Sequence, residues 1–137
     1  MQVINRSDFE LPLSRDRRIY LCGNLCNETD YKYITTDGFE MGITEYNEFT
    51  VEKAHYHKYN AEYNFVMKGM VKVYIFDEKK EYLCKAGSIF VIEPGMTYKV
   101  KGVKDTSVIF SKVPGGNDKI LVPECDDFLN SWASSWD

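Results

Sequence analysis

Short strand-like stretches separated by turn residues fill most of this chain of 137 residues. Apolar and polar side chains alternate along several of them, and dipeptides such as Asp37-Gly38 and Pro94-Gly95 supply the turns. No long amphipathic helix separates the stretches, which excludes a βαβ architecture and favours a sandwich or barrel. We predict strands over 18–22, 31–36, 39–47, 50–57, 62–68, 70–77, 81–85, 88–93, 97–102 and 107–113.

The alternation also predicts which side chains are buried. Val71, Val73 and Ile75 lie on one face of the strand over 70–77, so we expect that face to contact the core. The stretch 88–92 is apolar at most positions, and we expect it to be buried on both faces.

One helix is predicted, and it lies at the C-terminus. Asp126 or Asp127 can cap its first turn. The apolar residues that recur there with helical spacing are Phe128, Leu129, Trp132 and Trp136. We expect this short helix to cover a face of the sheet or to form a dimer contact.

Composition and charge exclude several classes of protein. Hydrophobic residues make up 44% and charged residues 28%, which excludes a disordered chain. The net charge of −4 argues against a nucleic-acid partner, and the apolar runs are too short to span a membrane. The N-terminal residues lack the basic-then-apolar order of a secretory signal, so we expect a cytoplasmic protein.

The cysteines agree with a reducing compartment. Cys22, Cys26, Cys84 and Cys125 match no CxxC redox or zinc motif. We therefore expect free thiols rather than a disulfide framework.

The two histidines of the chain, His55 and His57, lie one residue apart. On a strand such residues project from the same face, roughly 6–7 Å apart. Glu62 follows five residues later, and a turn would return its carboxylate to the imidazoles. Two histidines and one carboxylate form a facial triad with open positions for water, substrate or dioxygen. We predict a divalent metal here, with Zn, Fe, Ni and Mn as the candidates.

The segment from His55 to Gly69 resembles the first motif of the cupin superfamily. In that motif His-x-His is followed after four residues by Glu and after six more by Gly, as in His55, His57, Glu62 and Gly69. The resemblance covers residues 39–113 and implies a small single-domain cupin. Its fold would be all-β, a double-stranded β-helix or jelly-roll barrel, with His55, His57 and Glu62 as metal ligands.

A second cupin motif, in which Gly, five residues, Pro-x-Gly, two residues and His follow one another, is partly present. Gly87 and Gly95 match it, while Glu93 stands at the first proline position. Tyr98 replaces the histidine that usually supplies a fourth ligand. Three roles stay open for Tyr98: metal ligand, catalytic acid or base beside the metal, and pocket wall.

A metal-free site is the alternative to this ligand set. Sugar-nucleotide ketoisomerases of the same barrel class use a histidine pair for proton transfer and usually lack the glutamate. Glu62 is present here, and a carboxylate buried against two neutral imidazoles needs a cation or protons to neutralise it. This charge balance favours a bound metal.

The resemblance leaves several functions open. We favour a metal-dependent isomerase, epimerase or lyase acting on a small polar or carbohydrate-derived substrate. The metal would act as a Lewis acid, and Tyr98 or Glu62 would move a proton as the catalytic residue. The alternatives are an Fe(II)-dependent dioxygenase, a ligand-binding barrel without catalysis, and a metal-free ketoisomerase that uses His55 and His57.

The basic residues change from arginine near the N-terminus to lysine in the rest of the chain. The arginines are Arg6, Arg15, Arg17 and Arg18. We expect them to form a solvated arm with surface ion pairs rather than to reach a ligand. The lysines that alternate after Tyr98 are Lys99, Lys101 and Lys104, and we expect them to point outward into solvent.

One domain accounts for the whole chain. We assign 1–30 to an N-terminal arm and strand, 31–123 to the barrel and 124–137 to the C-terminal helix. The glycine-rich segment 114–119 is interpreted as a turn after the last strand. The partners expected are a small molecule in the barrel and a second copy of the chain in a homodimer.

Overall fold

The computed structural model describes residues 1–25, 29–124 and 126–137. Within these ranges the chain forms twelve strands and two helices. In chain order they are α1 (Arg6–Asp16), β1 (Arg18–Gly23), β2 (Ile34–Thr35), β3 (Glu40–Tyr46), β4 (Thr50–Val51), β5 (His55–His57), β6 (Ala61–Lys68), β7 (Met70–Ile75), β8 (Lys80–Lys85), β9 (Ile89–Ile92), β10 (Tyr98–Gly102), β11 (Thr106–Val113), β12 (Lys119–Leu121) and α2 (Asp127–Ser134).

Two facing sheets enclose the core. One has the strand order β2-β1-β3-β11-β6-β9 and the other β12-β5-β10-β7-β8, with β4 paired to β10. Their inner faces meet through apolar side chains that include Val66, Val71, Val73 and Ile75, all at most 4% exposed. The predicted all-β double-stranded β-helix and the predicted burial of one face of β7 are both confirmed.

The strand boundaries differ from the predicted ones at several places. The stretch 50–57 divides into β4 and β5, and the stretch 31–36 shortens to β2. β12 was not predicted, and its pairing with β5 extends the second sheet by one strand. The glycine-rich segment therefore leads into a strand that lies beside the histidines rather than ending the barrel.

The prediction that the stretch 88–92 is buried on both faces is wrong. Phe90 and Ile92 face the barrel interior, but Ile89 is 70% exposed and Val91 39% exposed. β9 is the edge strand of its sheet and pairs with β6 alone. No described segment covers the outer face at this edge, so apolar composition does not translate into burial.

α2 covers the outer face of the second sheet, as one of the two predicted roles for it required. Asp126 caps the helix by accepting a hydrogen bond from the backbone N–H of Phe128 at 2.7 Å. Leu129 and Trp132 are buried against the sheet. Lys101 lies beneath the helix and donates from Nζ to the carbonyl oxygens of Trp132 and Ser135, at 2.7 and 2.8 Å.

The outward, solvated placement expected for the alternating lysines is wrong for two of them. Lys101 is 2% exposed and Lys99 is 7% exposed, because the C-terminal segment covers that face of β10. Lys99 forms an ion pair with Glu124. Burial lowers the pKa of both lysines, and the carbonyl and carboxylate partners satisfy their N–H groups. Only Lys104 is exposed as expected.

Helix α1 was not predicted, because Pro12 and the exposed Leu11 interrupt its apolar pattern. Its buried residues Phe9 and Leu13, one turn apart, pack against Ile19 of β1. The helix thus covers the outer face of the first sheet over β1 and β3. Tertiary packing, rather than a regular amphipathic pattern, stabilises this helix.

Three of the four arginines make the expected surface ion pairs. Arg6 contacts Glu45, Arg15 contacts Asp16 and Asp30, and Arg17 contacts Glu48. Arg18 is the exception, because β1 carries its side chain into the barrel. The expectation of a solvated arm is therefore wrong at this residue.

Two of the cysteines can be placed. Cys22 and Cys84 are buried free thiols, whereas Cys26 and Cys125 lie outside the described residues. Among the described residues, neither helix is long and apolar enough to cross a bilayer.

Candidate metal centre

The predicted site residues meet at one end of the barrel interior. His55 and His57 project inward from β5, and Tyr98 faces His55 across the pairing of β5 with β10. Glu62 approaches from β6 in the opposite sheet. The exposed fractions of the four residues are 3–5%, so all of them are buried. The short turn between β5 and β6 returns the carboxylate to the histidines, as the spacing predicts.

The donor atoms of these residues lie close together. His57 Nε2 is 3.1 Å from Glu62 Oε2, and Tyr98 Oη is 2.9 Å from His55 Nε2 and 3.4 Å from His57 Nε2. Two ligands bound to one cation at about 2.1 Å are themselves about 3.0–3.4 Å apart. The three separations lie in the range of hydrogen bonds and near the spacing of ligands that share one small cation.

His55 does not join the other donor atoms around one point. The two imidazole rings are perpendicular, with centroids 5.2 Å apart, and the Tyr98 hydroxyl lies between them. Among the described residues, no three His, Cys, Asp or Glu side chains already stand at the spacing of a metal-ligand group. His57 Nε2 and Glu62 Oε2 lie at the spacing of two ligands of one cation, whereas His55 Nε2 is hydrogen bonded to Tyr98.

The Nδ1 atom of each histidine lies within hydrogen-bond distance of an oxygen acceptor. His55 Nδ1 lies 2.8 Å from the carbonyl oxygen of Lys53, and His57 Nδ1 lies 2.9 Å from Asp118 Oδ1. An imidazole that donates from Nδ1 has its lone pair on Nε2. In the neutral form with the proton on Nδ1, each Nε2 lone pair would point into the cavity, as metal ligation requires.

Asp118 is a site residue that the sequence analysis missed. It immediately precedes β12, whose pairing with β5 places Lys119 opposite His57. Asp118 Oδ2 accepts hydrogen bonds from the backbone N–H groups of Tyr59 and Asn60 at 2.7 and 2.8 Å. Burial raises the pKa of Asp118, but these bonds and His57 outweigh it and lower the pKa.

The contact between His57 Nε2 and Glu62 Oε2 needs a proton or a cation between the two atoms. With its proton on Nδ1 toward Asp118, a neutral His57 presents a lone pair to a carboxylate oxygen 3.1 Å away. Two acceptors at this distance repel each other unless a cation or a proton lies between them. Burial raises the pKa of Glu62, but a hydrogen bond from His57 and the charge of Arg18 outweigh it and lower that pKa to about 2. A proton on His57 Nε2 would therefore satisfy this contact as a cation would.

The other two donors are neutral. Burial lowers the pKa of His55 to about 4, so its imidazole is uncharged at neutral pH. Burial, with Glu62 and Glu52 nearby, raises the pKa of Tyr98 well above its ordinary value. Tyr98 is therefore a phenol whose hydroxyl donates to His55 Nε2. Two imidazoles and a carboxylate make a donor set that fits a divalent metal.

The site opens into a cavity of about 250 Å³. Its wall includes ionisable residues that the sequence analysis did not assign to the site: Arg18, Glu52, Lys112 and Lys119. Arg18 Nη2 lies 3.6 Å from Glu62 Oε1 and its Nη1 donates to Thr44 Oγ1 at 3.0 Å. The barrel mouth is thus lined by charge of both signs.

The glycines of the two motifs have a structural explanation. Gly69 has a φ of 77° between β6 and β7, and a Cβ there would collide with Thr106. Gly95 has a φ of 80°, and its backbone N–H donates to the carbonyl oxygen of His57 at 2.7 Å. The loop of the second motif therefore holds the end of β5 by this hydrogen bond.

Solved structures of several other proteins share this fold. KdgF from Halomonas sp. superposes with a TM-score of 0.58 at 17% identity, over 74% of this chain and 80% of that chain. Oxalate oxidase in complex with the substrate analogue glycolate gives 0.53 at 24% identity, over 63% and 47%. Oxalate decarboxylase from Bacillus subtilis, studied for its Mn(II) centres, gives 0.55 at 13% identity, over 64% and 25%. At these identities the likeness is one of fold.

Sequence comparison identifies the family. No curated protein sequence matches the chain. The family model described as Cupin domain matches residues 42–113, which is more than half of the chain and contains every residue of both motifs. Together with the two-sheet barrel, this match shows that the chain belongs to the cupin family.

Proposed function

We propose that this protein is a metal-dependent enzyme of the isomerase, epimerase or lyase type, acting on a small polar substrate. His55, His57 and Glu62 would hold a divalent metal, with Tyr98 beside it. The observation that carries the proposal is that His57 Nε2 lies 3.1 Å from Glu62 Oε2 while Nδ1 lies 2.9 Å from Asp118, so a neutral His57 would need a cation between Nε2 and the carboxylate. A divalent cation removes the repulsion between these two atoms and uses both histidine lone pairs.

The same fold holds Mn(II) centres in oxalate decarboxylase from Bacillus subtilis. Imidazole and carboxylate ligands suit Zn, Fe, Ni or Mn, so the donor set supports this group of metals without selecting one. Asp118 contributes by fixing the His57 ring, as carboxylates beyond metal-bound histidines commonly do.

When bound, the metal would polarise a carbonyl or hydroxyl oxygen of the substrate as a Lewis acid. The chain would supply the proton transfers. Tyr98 holds a hydroxyl proton inside the cavity, and burial keeps it protonated at neutral pH, so it serves as the proton donor. Glu62 remains a carboxylate and serves as a proton acceptor or ligand.

Metal content and metal dependence test the proposal together. Protein purified without chelator is expected to carry about one divalent metal per chain by elemental analysis. In D₂O, NMR is expected to show exchange of carbon-bound protons in one or more of a panel of small hydroxy and keto acids. The exchange should stop with excess chelator and return when the metal is added back.

Other outcomes of this experiment identify the alternative functions and overturn the proposal. Exchange that persists in excess chelator would indicate metal-free proton transfer by His55 and His57. Oxygen consumption by the Fe-loaded protein would indicate a dioxygenase. A panel compound that binds and remains chemically unchanged would indicate a ligand-binding barrel.

We also propose that the protein forms a homodimer in a reducing compartment such as the cytoplasm, where Cys22 and Cys84 remain thiols. The half of the first sheet's outer face that α1 leaves open carries exposed apolar side chains. They are Tyr63, Phe65 and Met67 of β6 with Ile89 and Val91 of β9, 39–70% exposed. Together they expose on the order of 500 Å² of uncharged surface, near the upper limit for the largest patch on a monomer.

A second copy of the chain is the occupant that fits this patch. The patch carries no charged side chain, so it is complementary to itself across a two-fold axis. With its rim, it approaches the roughly 800 Å² per partner that stable dimers bury. Sedimentation should show a dimer for the natural chain and a monomer for Ile89→Glu. Leu11→Glu, at a position 81% exposed on α1, should remain dimeric. A monomeric natural chain would contradict the proposal.

A further inference from the structure

Three basic residues line the cavity above the candidate metal centre. Arg18 comes from β1, Lys112 from β11 and Lys119 from β12, and all three line the cavity. The pairing of Lys112 with Glu62 in β11 and β6 places this lysine beside the carboxylate ligand. Residues from three strands and both sheets thus bring positive charge to one small volume.

Acidic side chains balance this charge. The carboxylates of the wall are Glu52 and Glu62, and Lys112 pairs with Glu40 at 3.4 Å. Three cations therefore meet three carboxylates. A negatively charged ligand would be held by unused hydrogen-bond donors of these cations rather than by an excess of positive charge.

Arg18 is the cation best arranged to bind that ligand. Its guanidinium lies over the ring of Phe110, with Cζ 3.5 Å from the ring centroid. Phe110 is fully buried, and the lack of a side chain at Gly42 makes room for its ring, since a Cβ there would approach Phe110 Cζ to 2.6 Å. Stacking therefore holds the guanidinium plane in a fixed orientation.

The edge of this guanidinium remains available. Within the described part of the chain, its hydrogen bond goes to Thr44 Oγ1, and the contact with Glu62 is longer, at 3.6 Å. A guanidinium carries five N–H donors in a planar fork that matches the two oxygens of a carboxylate. The Arg18 side chain is 32% exposed and lines the cavity, so unused donors face the space above the site.

We infer that the substrate carries a carboxylate, and that Arg18 is the residue that selects it by a bidentate contact. Lys119 is exposed and lines the same cavity, where its charge would draw the anion in. This inference rests on the proposed function only in calling the bound anion a substrate. Binding of the anion itself does not depend on that function, because the anion site consists of residues other than the metal ligands. The cavity of about 250 Å³ limits the substrate to a small molecule.

Glycolate and its neutral analogue glycolamide test this inference by calorimetry, on metal-free protein and on protein loaded with Mn(II). We expect glycolate to bind more tightly than glycolamide in both forms. Arg18→Gln should weaken glycolate binding by about ten- to a hundredfold, with Arg18→Lys intermediate. Arg17→Gln is the matched control, because Arg17 pairs with Glu48 at the surface, and it should bind like the natural chain.

The outcomes separate this inference from the proposed function. Equal binding of glycolate and glycolamide, or unchanged glycolate binding by a folded Arg18→Lys and Arg18→Gln, would overturn the anion site. Tighter binding of inorganic phosphate than of glycolate would overturn the carboxylate assignment. If the protein holds no metal but shows the charge preference and its loss in Arg18→Gln, the anion site stands and the metal enzyme does not.

Discussion

Replacement of His57 by Ala is expected to lower the affinity for a divalent metal by on the order of a thousandfold or more, because the ion loses one of its three protein ligands. The variant also leaves Glu62 and Asp118 without the imidazole that lies between them. Competition with a chromophoric chelator measures the affinity, and elemental analysis measures the metal retained after dialysis. Metal-dependent proton exchange should disappear with the metal.

Two further variants should change the metal affinity less than His57→Ala does. Asp118→Asn keeps the shape of the side chain but weakens the hold on His57 Nδ1, so we expect metal affinity to fall by about ten- to a hundredfold. Tyr56→Phe changes the same strand on its opposite face and should leave the affinity unchanged. A His57→Ala protein that binds metal as tightly as the natural chain would rule out the proposed ligand set.

Truncation of Phe110 to Ala is expected to lower the free energy of unfolding by about 3–5 kcal/mol. The ring is fully buried, packs edge-on against Tyr20 at 5.2 Å and lies under the Arg18 guanidinium. Its removal leaves a cavity between β1, β3 and β11 that the paired strands cannot close. Denaturant unfolding at constant m value measures the change.

The neighbouring Ser111→Ala is the matched control for Phe110→Ala. Ser111 lies on the outer face of the same strand and is partly exposed, so we expect a change within about 0.5 kcal/mol. A loss below about 1 kcal/mol in Phe110→Ala would show that this ring does not support the barrel as its burial indicates.

Local sequence patterns predicted the parts of the structure that depend on periodicity. The alternation in β7 determines which of its side chains face the core, because successive residues of a strand point to opposite faces. The same period puts His55 and His57 on one face, and a turn of three residues returns Glu62 to them. The C-terminal helix and its Asp126 cap were also predictable, because helical spacing and a capping residue are features of a short stretch of sequence.

The missed residues of the site have no local signature. Asp118 lies 61 positions from His57, and only the pairing of β12 with β5 brings it to Nδ1. Arg18 lies within the arginine-rich N-terminal segment, and its neighbour Arg17 is at the surface. A shift of one residue in β1 would exchange their two environments, so register rather than composition separates them.

Burial was mispredicted where it depends on which layer lies above a strand. The apolar strand β9 is half exposed at a sheet edge, while Lys101 of β10 is buried beneath α2 and Lys99 is buried against Glu124. Residue types indicate the preference of a face for water, but a third layer of chain or a partner decides whether water reaches it.

The sequence by itself determined the barrel, the histidine pair, its carboxylate and the tyrosine beside them, because these depend on strand period, short turns and a motif of fixed spacing. Only the tertiary structure decided that Asp118 orients His57 and that Arg18 faces the cavity. These contacts join residues tens of positions apart, and strand pairing sets them through hydrogen-bond register that no stretch of chain encodes alone.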